Sequence, residues 1–243
     1  MNTSLLSVSR VAENQWHAVE NDLVVGRGHA SRRLDGRTFV SIDTWRDPVF
    51  DRLATAMLAD QAEPLYTVVD ETDHALTANW QLAGFRVWRR EHELVVPTRP
   101  ASAPPSLLIT SAEEEPLREL EQALRDELDW RTMPAEILPW QGGTRPLDPS
   151  KYTVAQRNNQ YVGLLRLATH TRQPRIGLIA VRAGERRTGV GRELLAHVLA
   201  ELHRAGVESV AAEINDTNDA ALALFESFGA RRTGSNLELI HHA

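Results

Sequence analysis

The residues best suited to chemistry stand between 176 and 192. An apolar run from Ile176 to Val181 leads into Arg186-x-x-Gly189-x-Gly191-Arg192, and an amphipathic stretch follows at once. A strand ending in a loop that opens a helix gathers several main-chain N–H donors and the positive end of the helix dipole at one point. Such a point is an anion site. Glycines at 189 and 191 let the main chain come close to a diphosphate, and Arg186, Arg187 and Arg192 add positive charge. Taken alone, the pattern also fits an ordinary strand–turn–helix connection.

The elements around it decide between these readings. Downstream, Val190, Leu194, Leu195, Val198, Leu199 and Leu202 recur at helical spacing until Ala205-Gly206 stops the helix. Residues 209–214 read as a strand, 218–228 as a short helix ended by Gly229, and 236–240 as a last strand. Upstream, 106–110 reads as a strand, and Ser111 with Glu114 resembles a capping box. The helix then runs over 113–129 with Leu117, Leu120, Leu124 and Leu128 on one face. A loop with Trp130, Trp140 and Gly142-Gly143 precedes strands at 152–156 and 161–168, joined by a turn at Asn158-Asn159.

The stretch 97–106 holds four prolines and reads as an extended linker. Before it, 16–20, 23–30 and 36–42 read as strands, 48–59 as a helix, 65–69 as a strand, 74–83 as a helix and 86–96 as a strand. This partly repeats the second segment's order. Asp73, Trp80 and Gly84 keep the intervals of Asn218, Phe225 and Gly229 at an offset of 145 residues, the mark of an internal duplication. The first copy has no glycine–arginine loop; Thr44-Trp45-Arg46-Asp47-Pro48 stands there. The chain thus reads as mixed α/β in two domains: a partial one over 1–97, a linker over 98–105 and a complete one over 106–243.

The 243 residues, 42% hydrophobic and 25% charged, are a globular composition. A formal net charge of −6 argues against a nucleic-acid partner, which needs a concentrated basic face. The absence of cysteine removes disulfides, thiolate metal sites and cysteine nucleophiles. No apolar run reaches the roughly 20 residues that span a membrane. The first residues lack the basic and long apolar regions of a signal peptide, so the expected compartment is the cytoplasm. His197 and His203 lie six apart on one helix and face different ways, and His241-His242 is a solvated tail rather than a metal site. No metal is expected. A Gly-Lys-Ser/Thr loop is missing from the glycine turn, as is Gly-x-Gly-x-x-Gly.

The second segment resembles the GNAT superfamily of acyl-CoA-dependent N-acetyltransferases. The family's strand, Val-x-Pro and Arg/Gln-x-x-Gly-x-Gly/Ala are matched by Val181, Ala183 in place of proline, Arg186, Gly189 and Gly191. Its Asn-x-x-Ala-x-x-Leu-Tyr-x-x-x-Gly-Phe is matched by Asn218, Ala221, Leu224, Phe225, Gly229 and Ala230. The resemblance covers about 150–235, with weaker support from 106–130, and the first segment looks like the degenerate partial copy of tandem GNAT proteins, without the opening strand and helices. It implies acetyl-CoA as acyl donor. Main-chain groups of Ile179, Ala180 and Val181 would hold the pantetheine arm, and N–H groups from Arg187 through Thr188, Gly189, Val190, Gly191 and Arg192 the diphosphate. Asn218, Ala221 and the helix they open would bracket the arm.

The reaction so implied is direct attack of a primary amine, on a small molecule or peptide, at an activated thioester. It needs a base for the amine, a donor for the developing oxyanion (in the family a main-chain N–H near Ala180 or Val181) and an acid for the thiolate. Phe225 stands where the family has a tyrosine acid and has no proton to give. The alternative reading is therefore a non-catalytic acyl-CoA-binding module. Glu213 and His170 are the candidate bases, each with a structural alternative: Glu213 as a cap, His170 as an exposed turn residue. Glu127 and Asp129 fall where the family places substrate-recognition groups, and Trp130 and Trp140 could wall an acceptor pocket.

Overall fold

The computed structural model describes residues 6–33, 36–62, 64–100, 106–127, 147–168 and 173–242. In chain order these form β1 (Ser7–Ala12), β2 (Gln15–Glu20), β3 (Leu23–Arg32), β4 (Thr38–Asp43), α1 (Asp47–Asp60), β5 (Leu65–Asp70), α2 (His74–Leu82) and β6 (Arg86–Pro97). There follow β7 (Leu108–Ser111), α3 (Glu114–Glu127), β8 (Tyr152–Arg157), β9 (Gln160–Ala168), β10 (Arg175–Val181), α4 (Val190–Arg204), β11 (Ser209–Asn215), α5 (Asp219–Glu226) and β12 (Arg231–His241). This is the mixed α/β fold that the sequence leads one to expect.

The chain forms two compact units, Met1–Arg90 with Ser235–Ala243, and Glu91–Gly234. The division expected at the linker, after residue 97, falls inside β6 instead, and the end of β12 belongs with the first unit. The cause is strand pairing: 236–241 run antiparallel to β5, and 91–97 run antiparallel to β11.

In the first unit the strand order is β1-β2-β3-β4-β5-β12. Asn21 and Asp22 turn β2 into β3 at φ 51° and 62°, a left-handed pair that Asn and Asp tolerate. Helix α1 presents Val49, Phe50, Leu53, Ala54 and Met57 to Trp16, Ala18, Ala30, Val40, Leu65 and Leu239. Each Val, Leu, Phe or Met side chain among them contributes about 1.5–3 kcal/mol when fully buried. On the opposite sheet face Phe39 stacks on Tyr66, with ring centroids 5.4 Å apart, and the Arg37 guanidinium lies 5.2 Å from the Tyr66 ring. An opening strand was not expected here, yet β1 pairs with β2. Five of its six residues are exposed, so it carries no apolar alternation to read.

In the second unit the order is β6-β11-β10-β9-β8-β7. Asn158 and Asn159 join β8 to β9 at φ 51° and 61°, as the turn pair predicts. The apolar face of α4 buries Val190, Leu194, Leu195, Val198, Leu199 and Leu202 against Val162, Leu165, Ile176, Val210, Ala212 and Ile214. Leu117, Leu120 and Leu124 of α3 cover the other face over Val154, Leu164 and Leu178.

The three spaced positions behave alike in the two units. Asp73 and Asn218 both cap a helix, each side-chain oxygen accepting the N–H three residues on, at 2.9 and 3.1 Å. Trp80 and Phe225 are buried core residues. Gly84 and Gly229 turn at φ 96° and 80°. No helix among the described residues is long and apolar enough to cross a membrane.

Candidate active site

Strands β10 and β11 run parallel but pair only at Arg175↔Ala211 and Ile176↔Ala212. Beyond that, β10 stays with β9 as far as Val181↔Gly163, while β11 stays with β6 as far as Asn215↔Glu91. The two strands therefore diverge, and the edge of Ile179, Ala180 and Val181 turned away from β9 borders a cleft. Main-chain donors and acceptors along such an edge can pair with an extended ligand as another strand would.

The cleft leads to the loop. After Val181 comes a 3₁₀ turn, Ala183–Glu185, then Arg186 in an extended conformation. Arg187 is left-handed at φ 64°, an uncommon state for a side-chain-bearing residue, and Gly189 follows at φ 93° as the N-cap of α4. The first helical bond closed there is Glu193 N–H to the Gly189 carbonyl, at 3.0 Å. The N–H groups of Val190, Gly191 and Arg192 precede it and have no helical carbonyl to reach. They point out of a 15-residue helix along its dipole.

Around these donors the charge is positive. Arg186 and Arg187 are exposed. Arg186 Nε donates to the Val181 carbonyl at 3.2 Å. Arg192 donates to Ser227 Oγ at 3.3 Å and lies 5.3 Å from the Phe228 ring. Thr188 Oγ1 donates to the Glu185 carbonyl at 2.7 Å, and Glu185 pairs with Arg157. Those bonds fix the turn in advance of any ligand. The set fits a diphosphate: free helix-opening N–H groups, three arginines and a main chain bared by glycine.

Other candidates stand apart from the loop. Asn218 caps α5 and Ala221 is half-buried against the core. Phe225 is 1% exposed and packed in the core beneath α4. Glu213 is exposed and ion-paired to Arg175 at 3.2 Å. His170, Asp129, Trp130 and Trp140 lie outside the described residues. No group of three or more metal-ligating side chains occurs among the described residues.

Two further residues support the loop: one that the sequence reading did not pick out, and one, Glu127, expected instead to recognise the acceptor. Gly163, opposite Val181, is one: a Cβ there would come within 2.9 Å of Val190 Cγ1 and 3.1 Å of the Ala180 carbonyl, so only glycine lets β9 approach the head of α4. A lone glycine amid apolar strand residues is the signal that could have found it. Glu127, the last residue of α3, is the other. It accepts Arg182 Nε at 2.8 Å and the Ala183 N–H at 2.6 Å, and lies 3.9 Å from Arg186 Nη2. Burial pushes its pKa up, but the bonds from Arg182 and Ala183 and the charges of Arg182 and Arg186 outweigh this. Its carboxyl is held below the usual carboxylate range.

Residues 111–230 match the model of the acetyltransferase (GNAT) family. This stretch is a GNAT-family acetyltransferase domain. A curated relative, the [ribosomal protein bS18]-alanine N-acetyltransferase of Escherichia coli K12, is 45% identical over 51 residues, 21% of this chain. The match spans 34% of that relative's length. A GCN5-related N-acetyltransferase from Sphaerobacter thermophilus superposes with a TM-score of 0.68 at 16% identity, over 96% of this chain and 81% of the other. One from Kribbella flavida gives 0.63 at 11% identity over 98% and 90%. A tandem GNAT protein from the clavulanic acid biosynthesis pathway gives 0.62 at 15% identity over 93% and 81%. At these identities the structures share the acetyltransferase fold with this chain.

Proposed function

We propose that the protein transfers an acetyl group from acetyl-CoA to a primary amine of a small molecule or peptide in the cytoplasm. The cleft between β10 and β11, opening onto the Arg186–Arg192 loop, is the observation that carries this reading. The pantetheine arm pairs with the edge of Ile179, Ala180 and Val181. The diphosphate is held by the N–H groups between Arg187 and Arg192, with Arg186 beside them. The donor supplies an acyl group already activated as a thioester.

The neutral amine nitrogen attacks the acyl carbon, the N–C bond forms and the C–S bond breaks. A main-chain N–H near Ala180 or Val181 donates to the oxygen that gains charge. Glu213, exposed and paired with Arg175, takes the amine proton directly or through water. Phe225, buried and without a proton, gives the leaving thiolate nothing. The thiolate departs unaided or takes its proton from solvent.

The first unit is read as a degenerate copy that binds no coenzyme. In place of the loop it has Arg46, held by Glu20 at 2.5 and 3.3 Å, then Asp47 and Pro48 opening α1. An acid and a proline at the helix opening repel an anion and remove a donor.

The decisive experiment is calorimetric titration with CoA, followed by measurement of thiol release from acetyl-CoA with a panel of amines. One coenzyme per chain and amine-dependent release are expected. Binding without release under every amine would leave only an acyl-CoA-binding module, and no binding would end the proposal.

A further inference from the structure

The geometry points to Glu127 as a positioning residue for the coenzyme loop, acting through Arg182 and the Ala183 N–H. This inference rests on the acetyl-CoA reading above. Residues on α3 were expected to meet the acceptor; this one instead grips the segment that leads to the diphosphate donors.

Three observations combine. First, the 3₁₀ turn Ala183–Glu185 has Arg182 at its N-cap with no side-chain cap bond of its own. The Glu127 carboxylate supplies that bond from 56 residues away, accepting the Ala183 N–H at 2.6 Å. Second, the same carboxylate accepts Arg182 Nε at 2.8 Å, so the residue between strand and turn and the first residue of the turn are both tied to α3. Third, Arg186 closes the turn, its N–H reaching the Ala183 carbonyl at 3.4 Å, and its guanidinium faces Glu127 at 3.9 Å. The place of Arg186, and of the left-handed Arg187 after it, thus depends on how the turn begins.

A carboxylate at a helix C-terminus opposes the helix dipole. Stability within α3 therefore gives no reason for a glutamate at 127, whereas anchoring the loop does. The bonds it makes are charge-assisted and stronger than neutral ones. They set the turn before the ligand arrives, which lowers the ordering cost of binding.

Calorimetric titration of the full chain with CoA tests this. Glu127→Gln should weaken CoA binding about tenfold, a loss of about 1.4 kcal/mol. Arg182→Gln should weaken it by a similar factor, and the double variant by no more than either single change. The KM for acetyl-CoA should rise alike while kcat stays within about twofold, since the reacting atoms are untouched. A merely structural role would lower the thermal midpoint and shift kcat and KM together. Unchanged or tighter CoA binding in Glu127→Gln, or additive losses in the double variant, would overturn the inference. Failure of the unaltered protein to bind CoA would instead sink the acetyl-CoA reading itself.

Discussion

The two strand–loop–helix junctions, β4 to α1 and β10 to α4, begin alike and end differently. In each, the parallel partner is lost after two residue pairs: Thr38↔Leu65 and Phe39↔Tyr66 in one, Arg175↔Ala211 and Ile176↔Ala212 in the other. Then they part. The β4 junction neutralises itself with the Arg46–Glu20 pair and an acid at the head of α1, whose Asp47 also accepts from Asn79 at 3.1 Å. The β10 junction leaves helix-opening donors among exposed arginines. A cleft thus comes from strand geometry alone, whereas an anion site needs a few residues at its end.

The largest expected effects concern what the units share. Trp80→Ala and Phe225→Ala each empty a core position that is at most 2% exposed, and each should cost about 3–5 kcal/mol in chemical denaturation. A much smaller loss at one of them would break the equivalence. Next comes the difference between the junctions. Gly189→Asp places an acid at the head of α4, as Asp47 does in α1, at a φ of 93° that strains any side chain. CoA affinity should fall about a hundredfold, roughly 2.7 kcal/mol, and calorimetry showing unchanged affinity would mean the α4 junction does not hold the coenzyme.

Smaller effects sharpen the comparison. Asp73→Ala and Asn218→Ala each remove one cap bond and should lower stability by about 1 kcal/mol. Coenzyme affinity should follow only the second, because only α5 borders the proposed arm. Glu193, in the first turn of α4, gives a pH signature. Burial raises its pKa, but bonds from the Ser106 hydroxyl and the Leu107 and Ser106 N–H groups, with the Arg157 charge, bring it below the ordinary glutamate range. The folded-state value is lower than the unfolded one, so this contribution is complete at neutral pH and fades as pH falls through the folded value. Denaturation of Glu193→Gln should accordingly show a shallower loss of stability below about pH 4.5 than the unaltered chain. Equal slopes would mean that Glu193 does not tie Ser106 and Leu107 to α4.

What could be read in the sequence was local. The face of α4 and the turns at 158–159 follow from periodicity and from residues that tolerate positive φ, both properties of short windows. The loop could be picked out as a candidate anion site because its donors, charges and glycines are consecutive. The part of Glu127 in it could not, since its bond to Ala183 joins residues 56 apart and nothing on a helix face foretells which loop it meets. Strand β1 lacked alternation. The split of β6 between two units was hidden for another reason: 86–96 read as one uninterrupted strand, and pairing partners leave no mark on it.

That split shapes how the chain comes to be folded. Leu237 and Leu239 fill the core of the first unit, yet they are made only after residues 91–234. As the chain emerges from the ribosome, the early part must wait, its β5 edge bare, while the whole acetyltransferase stretch is synthesised. Scissors placed anywhere near the proline-rich linker would leave neither product with a full set of strands.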